Sequence, residues 1–284
     1  MKKIFILLLA LTFSGSLVAN VSERDKKILV KLYKETHGSQ WKIKWDLTAA
    51  VSAWYGVKIV NDKVVSIVLV NNNLVGTLPK EIVNLTDLEE LNLFKNQISG
   101  VIPLNIGNLK NLKELNLSFN KLSGTIPNSI CEIKNLKSLE LYMNNLTGEI
   151  PRQIGQLKEL ELVSIFNNQL TGEIPASLYG LKNLKQLSLS SNKLKGNISW
   201  DISMLQSLET LSLFDNKLEG QVPYTIVKLD NLKSMNISYN SFTGSVSKEV
   251  AQKDDFKLTM INETGVAYQM EVSKSSKGVL AADE

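Results

Sequence analysis

Asparagine recurs every 24 residues along this chain, at Asn72, Asn96, Asn120, Asn144, Asn168, Asn192, Asn216 and Asn240, with no insertion or deletion between them. Glycines keep step at Gly76, Gly100, Gly124, Gly148, Gly172, Gly196, Gly220 and Gly244. All six prolines are in phase too, at Pro79, Pro103, Pro127, Pro151, Pro175 and Pro223, with Ser199 and Ser247 in the two remaining places. A fixed period of this length means that one short unit is stacked on copies of itself, so the chain is read as a solenoid.

One unit shows the physical logic. Leu112, Leu115, Leu117, Asn120, Leu122, Gly124, Ile126, Pro127, Ile130 and Ile133 hold its apolar and special positions. Leu115 and Leu117 alternate as in a strand, so both point inward while Asn116 and Ser118 point out. The spacing predicts strands around 67–69, 91–93, 115–117 and onward, side by side in a parallel sheet. The asparagine amide offers donors and an acceptor to backbone groups at the bend after the strand, so the stacked amides are expected to form a ladder. The other reading, surface asparagines that hold a ligand, leaves that bend without partners. Glycine suits a turn of unusual backbone conformation, and proline, with no N–H, suits the return path.

The pattern L-x-x-L-x-L-x-x-N-x-L-x-G-x-I-P stands here as Leu136, Leu139, Leu141, Asn144, Leu146, Gly148, Ile150 and Pro151. It resembles the plant-type leucine-rich repeat over roughly residues 64–250. Leu32, Tyr33, Thr36, Gly38, Trp41, Trp45, Trp54, Gly56 and Val57 resemble the N-terminal cap of that family. Plant members carry a cysteine pair in this cap and the chain has none, which makes it look more like exported bacterial relatives. The resemblance implies an α/β fold: a right-handed solenoid with a curved parallel sheet on its concave face, eight 24-residue units and a degenerate terminal one. It also implies the class of extracellular binding proteins, without choosing a ligand. The expected organisation is a signal peptide (1–19), an N-terminal cap (20–63), the array (64–250) and a C-terminal cap with a solvated tail (251–284). Phe256 and Ile261 keep phase with Leu232 and Ile237, while Thr264 stands in the asparagine place and Lys253 in a leucine place, as a decaying terminal coil requires. Beyond about residue 272 the chain is small, polar and mixed in charge, a composition expected to be disordered.

The first residues read as an export signal. Lys2 and Lys3 precede the apolar run Ile4 to Leu11, Ser14, Gly15 and Ser16 break it, and Ala19 is placed for cleavage. Removing residues 1–19 takes away two lysines and takes the formal charge from +4 to +2. A chain this near neutrality lacks the concentrated basic face that a nucleic acid needs. No segment outside the signal is apolar enough to cross a bilayer, so the expected location is secreted, periplasmic or cell-surface, with no transmembrane anchor after cleavage. Cys131, the single cysteine, aligns with Gly107, Gly155 and Tyr179 and is read as an inert spacer that makes no internal disulfide. Seven Asn-x-Ser/Thr triplets occur, a by-product of a repeat that sets asparagine near leucine and serine or threonine.

Nothing here has the form of a catalytic site. The single histidine, His37, lies in a cap turn beside Gly38, several coils from Cys131. Glu90 and Glu114 share an outward column, with Glu140 in another, and are read as solvated carboxylates rather than an acid/base pair. No spacing suits a metal, and the periodic glycines are explained by the repeat, so neither enzyme activity nor a cofactor is expected.

The outward strand positions carry the binding expectation. One column runs Phe94, Ser118, Tyr142, Phe166, Ser190, Phe214, Ser238, and the next Lys95, Phe119, Met143, Asn167, Ser191, Asp215, Tyr239. Folding leaves these positions free to vary, yet they hold Phe94, Phe119, Tyr142, Met143, Phe166, Phe214 and Tyr239, which are the expected contacts for a protein, peptide or glycan ligand. The alternative is that the rings pack on one another and stiffen the sheet. A second row, Lys110, Lys134, Lys158 and Lys182, offers either a site for an acidic glycan or a solvated face.

Overall fold

The computed structural model describes residues 21–255, 259–261 and 267–272. The export signal over 1–19, the phase of Phe256, the place of Thr264 and the tail beyond 272 lie outside the described residues.

Inward-facing leucines produce the expected parallel sheet. Its strands run side by side in sequence order: Lys63–Val68, Glu90–Asn92, Glu114–Asn116, Ser138–Glu140, Leu162–Ser164, Gln186–Ser188, Thr210–Ser212 and Ser234–Asn236. A further strand, Val57–Val60, pairs antiparallel with the first and closes the N-terminal edge. Register is constant, with Leu91 beside Leu115, Leu115 beside Leu139 and Val163 beside Leu187. The first strand begins four residues earlier than the periodicity predicts, where it pairs with Val57–Val60, and the later ones begin one residue earlier. Backbone bonding between coils also runs past their ends, from Leu93 N–H to Asn116 O, Lys95 N–H to Ser118 O and Asn96 N–H to Phe119 O.

The turn after each asparagine builds more regular structure than the sequence suggests. Val75–Thr77, Gln97–Val101, Lys121–Thr125 and Asn145–Thr147 form a second parallel sheet, and Lys195–Gly196, Lys217–Gln221 and Ser241–Thr243 a third. Glycines within or just after these segments hold a positive φ, for example +74° at Gly124, which residues with a Cβ rarely adopt. The return path then runs through short 3-10 turns such as Asn128–Glu132 and Ala176–Gly180.

The core is one continuous apolar column inside the coils. In a single turn of the solenoid Leu91, Leu93, Ile98, Ile102, Ile106, Leu109 and Leu112 are all inaccessible to solvent. At the N-terminal end the helix Glu23–Glu35 buries Ile28, Leu29 and Leu32 against the first coil, with the Ser22 hydroxyl capping it by accepting from Asp25 N at 3.1 Å. Trp41, Trp45 and Trp54 stack beneath Tyr33, and each indole N–H donates to a backbone carbonyl: Thr36, Tyr55 and Asp46. At the other end the helix Lys248–Lys253 leads into buried Asp254, whose carboxylate accepts from Ile237 N–H at 3.0 Å. Lys253, in its leucine place, donates to Leu229 O at 3.1 Å.

Candidate functional site

The asparagine ladder forms, and it sets where the outward side chains stand. Asn144 donates from Nδ2 to Leu117 O at 3.0 Å in the preceding coil and to Leu141 O at 3.1 Å in its own, and its Oδ1 accepts from Leu122 N–H at 2.9 Å. Asn96, Asn168, Asn192, Asn216 and Asn240 repeat the pattern. Asn72 instead exchanges bonds with the backbone of Ile43 and so fastens the cap. The bend these amides hold places the residue just before each of them in left-handed backbone: Lys95, Phe119, Met143, Asn167, Ser191, Asp215 and Tyr239 have φ between 50° and 58°.

All seven aromatic and methionine positions named from sequence stand on this face. Phe119 and Tyr239 are 41% and 37% exposed, and Phe94, Tyr142, Met143, Phe166 and Phe214 are half-buried. The structure does not bring them into one patch. Tyr142 and Phe166 stack face to face, with centroids 4.5 Å apart and planes 7° from parallel. Phe94 reaches across the Ser118 coil to Tyr142 at 6.1 Å and meets Phe119 edge-on at 6.2 Å. Phe214 and Tyr239 form a separate pair at 5.0 Å, beyond a coil that carries Ser188, Ser190 and Ser191. Part of the half-burial is therefore ring on ring, and Ser118 is wholly covered. A shallow groove of about 270 Å³ lies between Phe119, Met143, Asn145 and Asn167.

Carboxylates stand on the same sheet face, and Glu140 acts on Tyr142. Ser66 Oγ donates to Glu90 at 2.7 Å, and Ser138 Oγ to Glu140 at 3.1 Å. Burial pushes the Glu140 carboxyl above its usual range; the Ser138 bond opposes this and the charge of Glu114 adds to it. Burial likewise raises the Tyr142 phenol, and Glu140 adds to that shift.

Three of the four lysines in the row are tied into the scaffold. Lys110 pairs with Glu132 at 2.8 Å, Lys134 donates to Gln156 at 2.7 Å and to Cys131 O at 2.8 Å, and Lys158 reaches Gly180 O at 3.5 Å. Cys131 is buried and its thiol is pushed up to about 11 by that burial. A thiol so held is a poor nucleophile. Tyr179 in the same column is buried as well, and its hydroxyl accepts from Ser199 N–H at 3.2 Å. His37 sits in left-handed backbone with Nδ1 2.7 Å from Val75 O, joining cap to array. Among the described residues no group of histidines, cysteines and carboxylates has the geometry to hold a metal ion.

One exposed pair went unnoticed in the sequence. Trp200, half exposed, and Tyr224 lie on the return path at 5.3 Å, each just after the proline-phase residue of its coil. The signal was present, because that column otherwise holds Lys80, Leu104, Asn128, Arg152 and Ala176.

The leucine-rich-repeat family model matches at residues 87–109, 111–133, 135–157, 159–181, 183–205 and 207–229. Among curated proteins nothing matches. Several solved structures are similar to the chain. PEPR1–AtPEP1 is 32% identical over 80% of this chain and 36% of its own, with a TM-score of 0.71. A leucine-rich-repeat protein of Leptospira interrogans is 40% identical over 64% of this chain and 44% of its own, with a TM-score of 0.55. The ectodomain of the Arabidopsis receptor kinase HAESA is 27% identical over 88% of this chain and 49% of its own, with a TM-score of 0.56. The chain thus spans between about a third and a half of the length of these structures. With the repeat matched in six consecutive coils, the chain belongs to the leucine-rich-repeat family, with the plant-type repeat.

Proposed function

We propose that this protein is an exported binding module that takes a protein or peptide ligand on its parallel-sheet face. The observation that carries the reading is the occupancy of the left-handed column. A left-handed φ costs a residue with a Cβ about 1–2 kcal/mol, and glycine, asparagine and aspartate tolerate it best. Asn71, Asn167 and Asp215 follow that preference, whereas Phe119, Met143 and Tyr239 do not. Bulky side chains kept on strained backbone, exposed at Phe119 and Tyr239 and half-buried at Met143, point to a use outside folding. Rings on a rigid sheet also lose little entropy when a partner covers them.

One further fact supports it. The HAESA ectodomain, a leucine-rich-repeat ectodomain, is described in complex with a peptide hormone ligand. The ring-on-ring contacts favour a second reading, in which the aromatics only stiffen the sheet of a structural surface component.

The two readings part in one experiment. The double variant Tyr142→Ser/Phe166→Ser is compared with the parent in a pull-down from the extracellular fraction of the native source, with circular dichroism as the check of fold. Binding predicts at least roughly tenfold weaker capture, about 1.4 kcal/mol, at unchanged secondary structure. Stiffening alone predicts a lower unfolding midpoint and unchanged capture, and that result would overturn the proposal.

A further inference from the structure

Charge is unevenly spread over the sheet face. Its four outward columns hold the acidic residues Glu90, Glu114, Glu140 and Asp215, and a single basic one, Lys95. Glu140 stands by the ring stack, and Glu114 in turn acts on Glu140. Glu90 and Glu114 are register partners on adjacent strands, about 4.8 Å apart along the stacking direction. Glu140 lies on the next strand, with Tyr142 two residues after it.

This arrangement is unfavourable for the protein by itself. Burial and the negative charge of Glu114 both work against the charged form of Glu140, and no lysine or arginine is among the groups that act on it. One serine bond is its compensation. The buried Ser118 hydroxyl, close to the Tyr142 phenol, lacks a well-formed hydrogen bond. Beside Glu140 stands the stack of Tyr142 on Phe166, their planes nearly parallel. A ring face attracts a cation within about 6 Å of its centroid, and the attraction grows as water is excluded. A guanidinium suits both features at once, because it stacks on a ring with its flat face while its edge donates two parallel hydrogen bonds to a carboxylate.

We infer that the ligand is a peptide segment bearing an arginine, whose guanidinium lies on the Tyr142–Phe166 stack with its edge toward Glu140 and Glu114. This rests on the sheet face being the binding surface and adds the chemistry of what it selects. Lys95, two coils from Tyr142 on this face, sets a polarity for the segment: its basic residue falls near Tyr142 and an acidic or carboxyl-terminal group near Lys95.

The test uses the full chain and a defined probe. A random peptide library displayed on phage is selected on the immobilised protein, and the recovered peptides are measured against three forms: the parent, Glu114→Gln/Glu140→Gln and Tyr142→Ser/Phe166→Ser. Glutamine keeps the size of each carboxylate, and circular dichroism confirms that all three are folded. The inference expects enrichment of arginine among the recovered peptides, roughly tenfold or greater weakening by the glutamine pair, and a clear loss when the arginine of a peptide is changed to lysine. Peptides without basic residues that bind the glutamine pair like the parent but lose the serine pair would overturn the arginine and leave the sheet face standing. Peptides indifferent to both pairs, or no recovered peptide at all, would overturn both readings.

Discussion

At Asn144 a single primary amide satisfies two carbonyls and one backbone N–H that the bend would otherwise leave without partners. Both Leu117 O and Leu122 N–H belong to the neighbouring coil, so the side chain also joins units. Asn144→Leu keeps the volume and removes every polar group. We expect it to destabilise the protein by about 1–3 kcal/mol, the cost of leaving buried backbone groups unmatched, read as a fall in the urea midpoint with unchanged far-ultraviolet signal. An unchanged midpoint would mean that water replaces the amide. The ladder was legible in sequence because a strictly periodic polar residue among leucines must serve the backbone. The left-handed φ of the preceding residue was not. Lys95, Phe119, Met143 and Tyr239 share no residue type that marks such a position, so only the path of the chain reveals it.

The return path shows how close two coils come. At Gly107 an added Cβ would stand 2.2 Å from Ser129 O, and at Gly155 it would stand 2.0 Å from Ser177 O. Gly180, one residue out of that phase, has only the flexible end of Lys158 nearby, at 3.7 Å. Gly155→Ala is therefore expected to push coils apart and cost about 1–3 kcal/mol, the usual range for overpacking, while Gly180→Ala leaves the thermal midpoint within about 0.5 kcal/mol of the parent. Equal effects of the two substitutions would contradict the packing described here. The column alignment of Gly107, Gly155 and Cys131 predicted a small residue. It could not say why Tyr179 fits the same column, because that depends on where the ring goes: inward, to the Ser199 N–H.

Because each coil contacts mainly its neighbours, the stability of the whole is close to a sum over coils and joints. Excision of residues 169–192, one period, rejoins Asn168 to Lys193 and recreates every kind of joint already present. It removes Ser188, Ser190 and Ser191 and leaves Glu114, Glu140 and the Tyr142–Phe166 stack in place. The shortened chain is expected to fold, to unfold cooperatively at a lower denaturant midpoint, and to bind the peptides selected on the parent. An aggregated or unfolded product, seen by circular dichroism and gel filtration, would show that long-range strain rather than nearest-neighbour contact sets the fold. The ends are the exception to this additivity. The tryptophan stack under Tyr33 and the carboxylate of Asp254 cover apolar and backbone groups that interior coils cover for one another.

The sequence by itself determined the solenoid, its period, the parallel strands, the asparagine ladder and the candidate face, because each follows from a repeated constraint on one residue and periodicity multiplies a weak local signal. Only the tertiary structure decided what the non-repeating side chains do. It tied most of the lysine row into coil-to-coil bonds, split the aromatic columns into a stack around Tyr142–Phe166 and a separate Phe214–Tyr239 pair, and brought Glu140 beside the first of them. The physical reason is that a one-dimensional repeat fixes where each Cβ starts. Whether a long side chain then lies along the sheet, crosses to the next coil or stays in water depends on which neighbours it meets, and those come from different coils.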